Sequence, residues 1–107
     1  MFTRIVECKL HTNRLEEARK TLNNEVIPTL RSQRGFVDVV EALDPASGTF
    51  VCASFWKTKE DADRYGRDTF PQIANKLNNY IANEPTVRTL QVETSSVHNI
   101  AAGKAAA

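Results

Sequence analysis

Cys52, Ser54 and Trp56 recur at every second position in Phe50–Trp56, and on a strand that spacing turns a thiol, a hydroxyl and an indole toward one space. Such a trio offers weak donors and an aromatic wall. It suits the holding and orienting of a flat organic molecule more than acid–base work. Cys8 lies in a second apolar run. The two cysteines have no CxxC or Cys/His spacing, so they read either as core-filling thiols or as the lining of a pocket, with Cys8 or Cys52 a weak donor or redox-sensitive group. Trp56 has the same two readings, core aromatic or cleft wall. Tyr65, three residues after Ala62, faces inward at helical spacing and either packs on the sheet or presents its hydroxyl to a cleft; Phe70 opens the next apolar stripe. Asp38 and Glu41 fall on opposite faces of one strand and do not form a carboxylate pair. His11 and His98 read as solvated, with no carboxylate cluster to make a metal site. Arg64 and Arg67 are solvated or steer an acidic or enolate substrate. No Ser/His/Asp order, phosphate loop or dinucleotide fingerprint occurs.

These residues need elements to place them. At 107 residues the chain is one domain. Fourteen Lys and Arg against thirteen Asp and Glu give a net charge of +1, with no basic block to recommend nucleic acid or an anionic membrane. No apolar run approaches the roughly 18 residues of a membrane span, and the N-terminus lacks a signal-peptide layout, so a cytoplasmic, reducing setting is expected. Phe2 to Leu10 predicts a first strand. Asn13 to Glu16 has the form of a capping box, and Leu15, Ala18, Leu22, Val26 and Leu30 predict a helix to about Gln33, bent by Pro28 and stopped at Gly35. Phe36 to Leu43 and Phe50 to Trp56 predict a hairpin around the turn Asp44 to Gly48. Thr58 caps a helix with Asp61 at its third position, and the interruption at Asp68 to Pro71 starts a second piece with Phe70, Ile73, Ala74, Leu77 and Ile81 on one side. Thr86 to Val97 predicts a long last strand. Residues 1–97 make the domain and 98–107 a mobile Ala-rich tail.

The order βαββαβ predicts an α+β, ferredoxin-like fold: a four-stranded antiparallel sheet with its helices on one face. The third strand is apolar on both sides. Its Val51, Ala53 and Phe55, with Ile5, are left for a second cover, and another copy of the chain is the simplest one.

Val26 to Arg31, Gly35-Phe36, Ser54 to Ala62, Tyr65 and Phe70 together resemble the antibiotic biosynthesis monooxygenase domain family, over nearly the whole chain. The resemblance implies a dimeric α/β barrel. It implies a cleft between sheet and helices lined by Cys8, Cys52, Ser54, Trp56, Tyr65 and Phe70. For function it implies a monooxygenase with neither metal nor flavin, acting on a small aromatic or quinol-type molecule. Where quinone-forming oxygenases of this superfamily hold a polarising Asn the chain has Cys52, and where haem degraders hold an Asn it has Cys8. The axial histidine position of the haem degraders falls on Ala74 or Asn75, and their Trp on Tyr65, so haem is not expected. The general base has no assignment. A non-catalytic dimeric binding or stress-associated protein is therefore the alternative. Arg34 to Val37 also resembles the aromatic motif of RNA-recognition domains, but that motif belongs on the third strand and this one opens the second.

Overall fold

The computed structural model describes residues 1–101. Strand β1 (Phe2–Lys9) leads through a short 3₁₀ turn to α1 (Leu15–Thr21), a π-helical turn (Leu22–Val26) and α2 (Ile27–Arg31). Strands β2 (Phe36–Leu43) and β3 (Thr49–Trp56) follow, then α3 (Lys59–Asp68), α4 (Phe70–Leu77) and β4 (Thr86–Gln91). All pairings are antiparallel in the order β2-β3-β1-β4, so β1 is central and the fold is ferredoxin-like. No helix among the described residues is long and apolar enough to cross a membrane.

Register decides which side chains meet the helices. Phe2, Arg4, Val6 and Cys8 of β1 lie opposite Trp56, Ser54, Cys52 and Phe50 of β3. Directly opposed residues share a face. On β2 the same face carries Phe36, Val39, Glu41 and Leu43, because the register shifts between Phe36 and Asp38 and one extra residue reverses the alternation. Against this face α1 to α4 pack Ala18, Leu22, Val26, Leu30, Ala62, Tyr65 and Ile73 to form the core.

Local chemistry explains the joints. Thr58 Oγ1 accepts from the Asp61 N–H at 3.1 Å, starting α3 as expected. Gly35 stops the first helical segment at φ +81°, and a Cβ there would overlap the Asp61 carboxylate. Pro28 offers no N–H, and its ring would press on the carbonyl four residues back. The bend expected from it takes the form of the π turn just before it, closed by the Ile27 N–H on the Leu22 carbonyl.

Two expectations are corrected. Asn13 caps nothing: Thr12–Arg14 is a 3₁₀ turn held by the Arg14 N–H on the His11 carbonyl at 3.0 Å, so α1 starts at Leu15 without a side-chain cap. Glu16 instead meets Arg19 at 3.4 Å. The last strand is short, ending at Gln91 rather than Val97. Gln91 pairs with Phe2, the first residue of β1, and the Val92 N–H reaches the Met1 carbonyl at 3.0 Å. The chain then turns, Ser95 and Ile100 exchanging two backbone bonds of 2.8 Å, and Ile100 is buried. His98 comes to the outer face of the sheet, 6.2 Å from the Phe55 ring, with Nε2 3.9 Å from the Asp38 carboxylate. Of the expected tail, residues 102–107 lie outside the described residues.

Candidate functional site

Between sheet and helices lies a cavity of about 40 Å³. Arg4, Val6 and Cys8 of β1, Glu41 of β2 and Phe50, Cys52 and Ser54 of β3 form its floor; Leu22, Val26, Leu30, Tyr65, Phe70, Ile73 and Leu77 form its roof. Two grooves share part of its lining. One, about 170 Å³, shares Glu41, Leu10, Leu22 and Phe50 with it; the other, about 330 Å³, shares Ala74, Ile81 and Pro85. A water needs roughly 10–15 Å³, whereas an apolar cavity that takes benzene measures about 150 Å³. In this closed form the space suits a few waters, and a ring enters only if the roof moves outward.

Five of the six residues expected in the cleft line this cavity: Cys8, Cys52, Ser54, Tyr65 and Phe70. Trp56 does not. It is 0% exposed, stacked on Tyr65 at 4.9 Å and edge-on to Phe36 at 5.8 Å, and its indole N–H donates to Ser54 Oγ at 2.9 Å. Ser54 passes the chain on, its hydroxyl donating to the Arg4 carbonyl at 3.3 Å. Trp56 is thus the backing of the wall, holding Tyr65 and Ser54 in place.

The thiols are inert at neutral pH. Burial pushes Cys52 up to about 12, with Glu41 adding to the rise and Arg4 opposing it, and burial also raises Cys8. Neither is the low-pKa thiolate that redox or nucleophilic chemistry requires. Burial likewise raises the Tyr65 phenol, which is a donor here and not a base.

Two charged residues that sequence reasoning did not place in the cleft dominate it. Glu41 Oε2 is buried with no hydrogen-bond partner, and burial raises its carboxyl above the ordinary range. A carboxylate so placed favours taking up a proton. Arg4 is 6% exposed. Its guanidinium lies 4.1 Å from the Phe70 ring centre and 5.3 Å from that of Tyr65, and no ion pair to it forms among the described residues. Burying a lone cation costs several kcal/mol, and aromatic faces return about 1–2 kcal/mol. Desolvation accordingly lowers its pKa. Gly66 makes room for it: a Cβ on that residue of α3 would sit 3.1 Å from Arg4 Nε. Arg4 and Glu41 stand on strands separated by β3; Arg4 faces Ser54 and Glu41 faces Cys52, so two strand spacings and a two-residue offset put their backbones about 12 Å apart.

The remaining candidates lie elsewhere. Arg64 pairs with Asp61 and Arg67 with Asp68, each at 2.9 Å. His11 is exposed, and His98 is half-buried on the opposite face of the sheet. Among the described residues no three His, Cys, Asp or Glu side chains gather as a metal site would require.

This geometry defines a split βαββαβ domain with a cavity between its layers that is mostly apolar but carries one arginine and one glutamate. Solved structures with that fold carry related descriptions. A monooxygenase from the ActVA-Orf6 gene of Streptomyces coelicolor, in complex with Nanaomycin D, superposes with a TM-score of 0.73 at 12% identity, over 88% of either chain. An antibiotic biosynthesis monooxygenase gives 0.69 at 16% identity, over 86% of this chain and 98% of its own. A protein of unknown function from Nitrosomonas europaea gives 0.71 at 9% identity, over 89% and 91%. The chain therefore has the antibiotic biosynthesis monooxygenase fold. No family model matches the sequence, and no curated protein does.

Proposed function

We propose that this protein is a cofactor-independent monooxygenase that binds a small aromatic, quinol-type molecule between sheet and helices and takes a proton from it with Glu41. The observation that carries the reading is the buried, partnerless Oε2 of Glu41 at the edge of a cavity whose lining is otherwise mostly apolar, Arg4 apart. Deprotonation makes the ring electron-rich enough to reduce dioxygen itself. The substrate then supplies all electrons, one oxygen atom stays in the product and the other leaves as water. The protein contributes orientation, exclusion of water and the proton acceptor, the last worth typically 10²–10⁴-fold. Tyr65 can donate to the oxygen that accumulates charge.

A second reading has its own support. Cys8 and Cys52, which the resemblance aligns with polarising amides, stay protonated and offer only weak donors. That favours a non-catalytic binding or stress-associated protein using the same cavity. An oxygen electrode and a panel of anthrones and hydroquinones separate the two. Multiple turnover above the buffer rate supports the oxygenase; stoichiometric binding without turnover leaves the binder.

The protein is further proposed to act as a homodimer. The outer sheet face carries Ile5, Val51, Ala53 and Phe55 half-buried, with Val40 54% and Leu90 49% exposed. Apolar residues on all four strands, with Glu7, Asp38 and Arg88 among them, favour a second copy as cover.

A further inference from the structure

The proposed oxygenation uses Glu41 and leaves the other end of the cavity unexplained. Arg4 is more than nine-tenths buried, and it faces that cavity. Its neighbours cannot neutralise it. Tyr65 and Cys52 are held protonated by burial, and Asp63, a carboxylate whose field reaches Arg4, is engaged by Lys59 at 2.9 Å. What the surroundings do is fix its pose. The rings of Phe70 and Tyr65 lie within cation–π distance, and Gly66 lets the backbone of α3 come close where a side chain would press on the guanidinium. A guanidinium stacked on a ring keeps its N–H groups in its own plane, free to form paired bonds to a flat two-oxygen or single-oxygen anion. An aromatic setting, a fixed fork of donors and no internal counter-ion are the makings of an oxyanion subsite.

We infer that Arg4 is a specificity-determining residue that pairs with a planar oxyanion, a carboxylate or a phenolate, carried on the ring of the cavity's ligand. This rests on the reading of the cavity as a ligand site but not on turnover. The ligand then spans the cavity with its anion at Arg4 and a second polar group, the proton donor, near Glu41, whose backbone lies about 12 Å from that of Arg4 across β3. Such a molecule is a hydroxylated aromatic acid or an extended quinol.

Calorimetric titration of the full chain with naphthoate, naphthol and naphthamide tests this without requiring catalysis. Naphthoate is expected to bind at least tenfold more tightly than its neutral isostere naphthamide, and that preference is expected to fall below twofold in Arg4→Gln. Naphthol binding as well as naphthoate supports the subsite and assigns it to a phenolate; a preference for naphthoate over both assigns it to a carboxylate. In case Arg4→Gln fails to fold, Gly66→Ala keeps the charge and suits a helix better, yet displaces the guanidinium; it is expected to weaken naphthoate several-fold and leave naphthamide unchanged. Equal affinities for naphthoate and naphthamide in the wild type, no binding of any of the three, or an anion preference untouched by both substitutions overturns the inference. Absent oxygen uptake with an intact anion preference refutes the oxygenase alone and leaves Arg4's role standing.

Discussion

At the scale of single residues, the cavity's chemistry rests on which groups burial leaves neutral and which it leaves charged. Cys52 is pushed up to about 12, so a thiol reagent at pH 8 should modify neither cysteine of the folded protein, while unfolding in urea exposes both. Rapid stoichiometric labelling of native protein at pH 8 would show that the sheet–helix layer is open. Glu41 makes a stability prediction with a definite sign. Its carboxyl is raised by burial, so folding favours the protonated form: that stability is complete below the unfolded value and is lost as pH rises through the folded value. Glu41→Gln should therefore be more stable than wild type at pH 7, by less than about 1 kcal/mol because solvent screens the half-buried carboxyl, with the gain shrinking toward pH 4. Thermal melts at the two pH values check it, and an equal gain at both would deny that a buried charge is responsible.

Arg4 was legible in principle. Phe2, Val6 and Cys8 alternate toward the core, and an arginine at the one remaining position of that series points inward by period two alone. Glu41 was harder to see. Counted from Phe36 by twos, it falls on the face away from Phe36, and only the extra residue between Phe36 and Asp38 brings it round to the helix side. A bulge of this kind leaves little mark in composition. Of the two readings open for Trp56, core aromatic and cleft wall, its full burial favours the first, and period two could not choose because it gives a face and not a depth.

At the scale of elements, the joints carry the stability. Thr58 both accepts the Asp61 N–H and donates to its carboxylate at 2.9 Å, so Thr58→Ala should cost about 1 kcal/mol, measured by urea unfolding. Gly35→Ala should cost more, since it combines a left-handed backbone with overlap on the same Asp61 carboxylate. Comparable losses from the two substitutions would mean that the overlap relaxes at no expense. The helices, the hairpin and the Pro71 restart followed from spacing and caps. The long last strand did not survive: β4 pairs with β1 as far as Gln91, and the chain then turns back on itself between Ser95 and Ile100.

At the scale of the whole molecule, the sheet separates two functions. Its inner face holds the cavity with Arg4 and Glu41 at either side of β3; its outer face carries the apolar surface proposed to meet a second copy. One end of that outer face is already touched by the chain's own His98, against Phe55 and Asp38. Light scattering at micromolar concentration should give about twice the 12.0 kDa chain mass. A 12.0 kDa particle would mean that the self-contact, and not a partner, suffices as cover.

The most direct test of the central claim is the oxygen-consumption rate with an anthrone or hydroquinone substrate, compared between the wild type and Glu41→Gln at pH 7. Turnover is expected in the wild type, with a fall of about 10²–10⁴-fold in the variant and ligand still bound. Equal rates in the two proteins, or a wild type no faster than buffer, would contradict it.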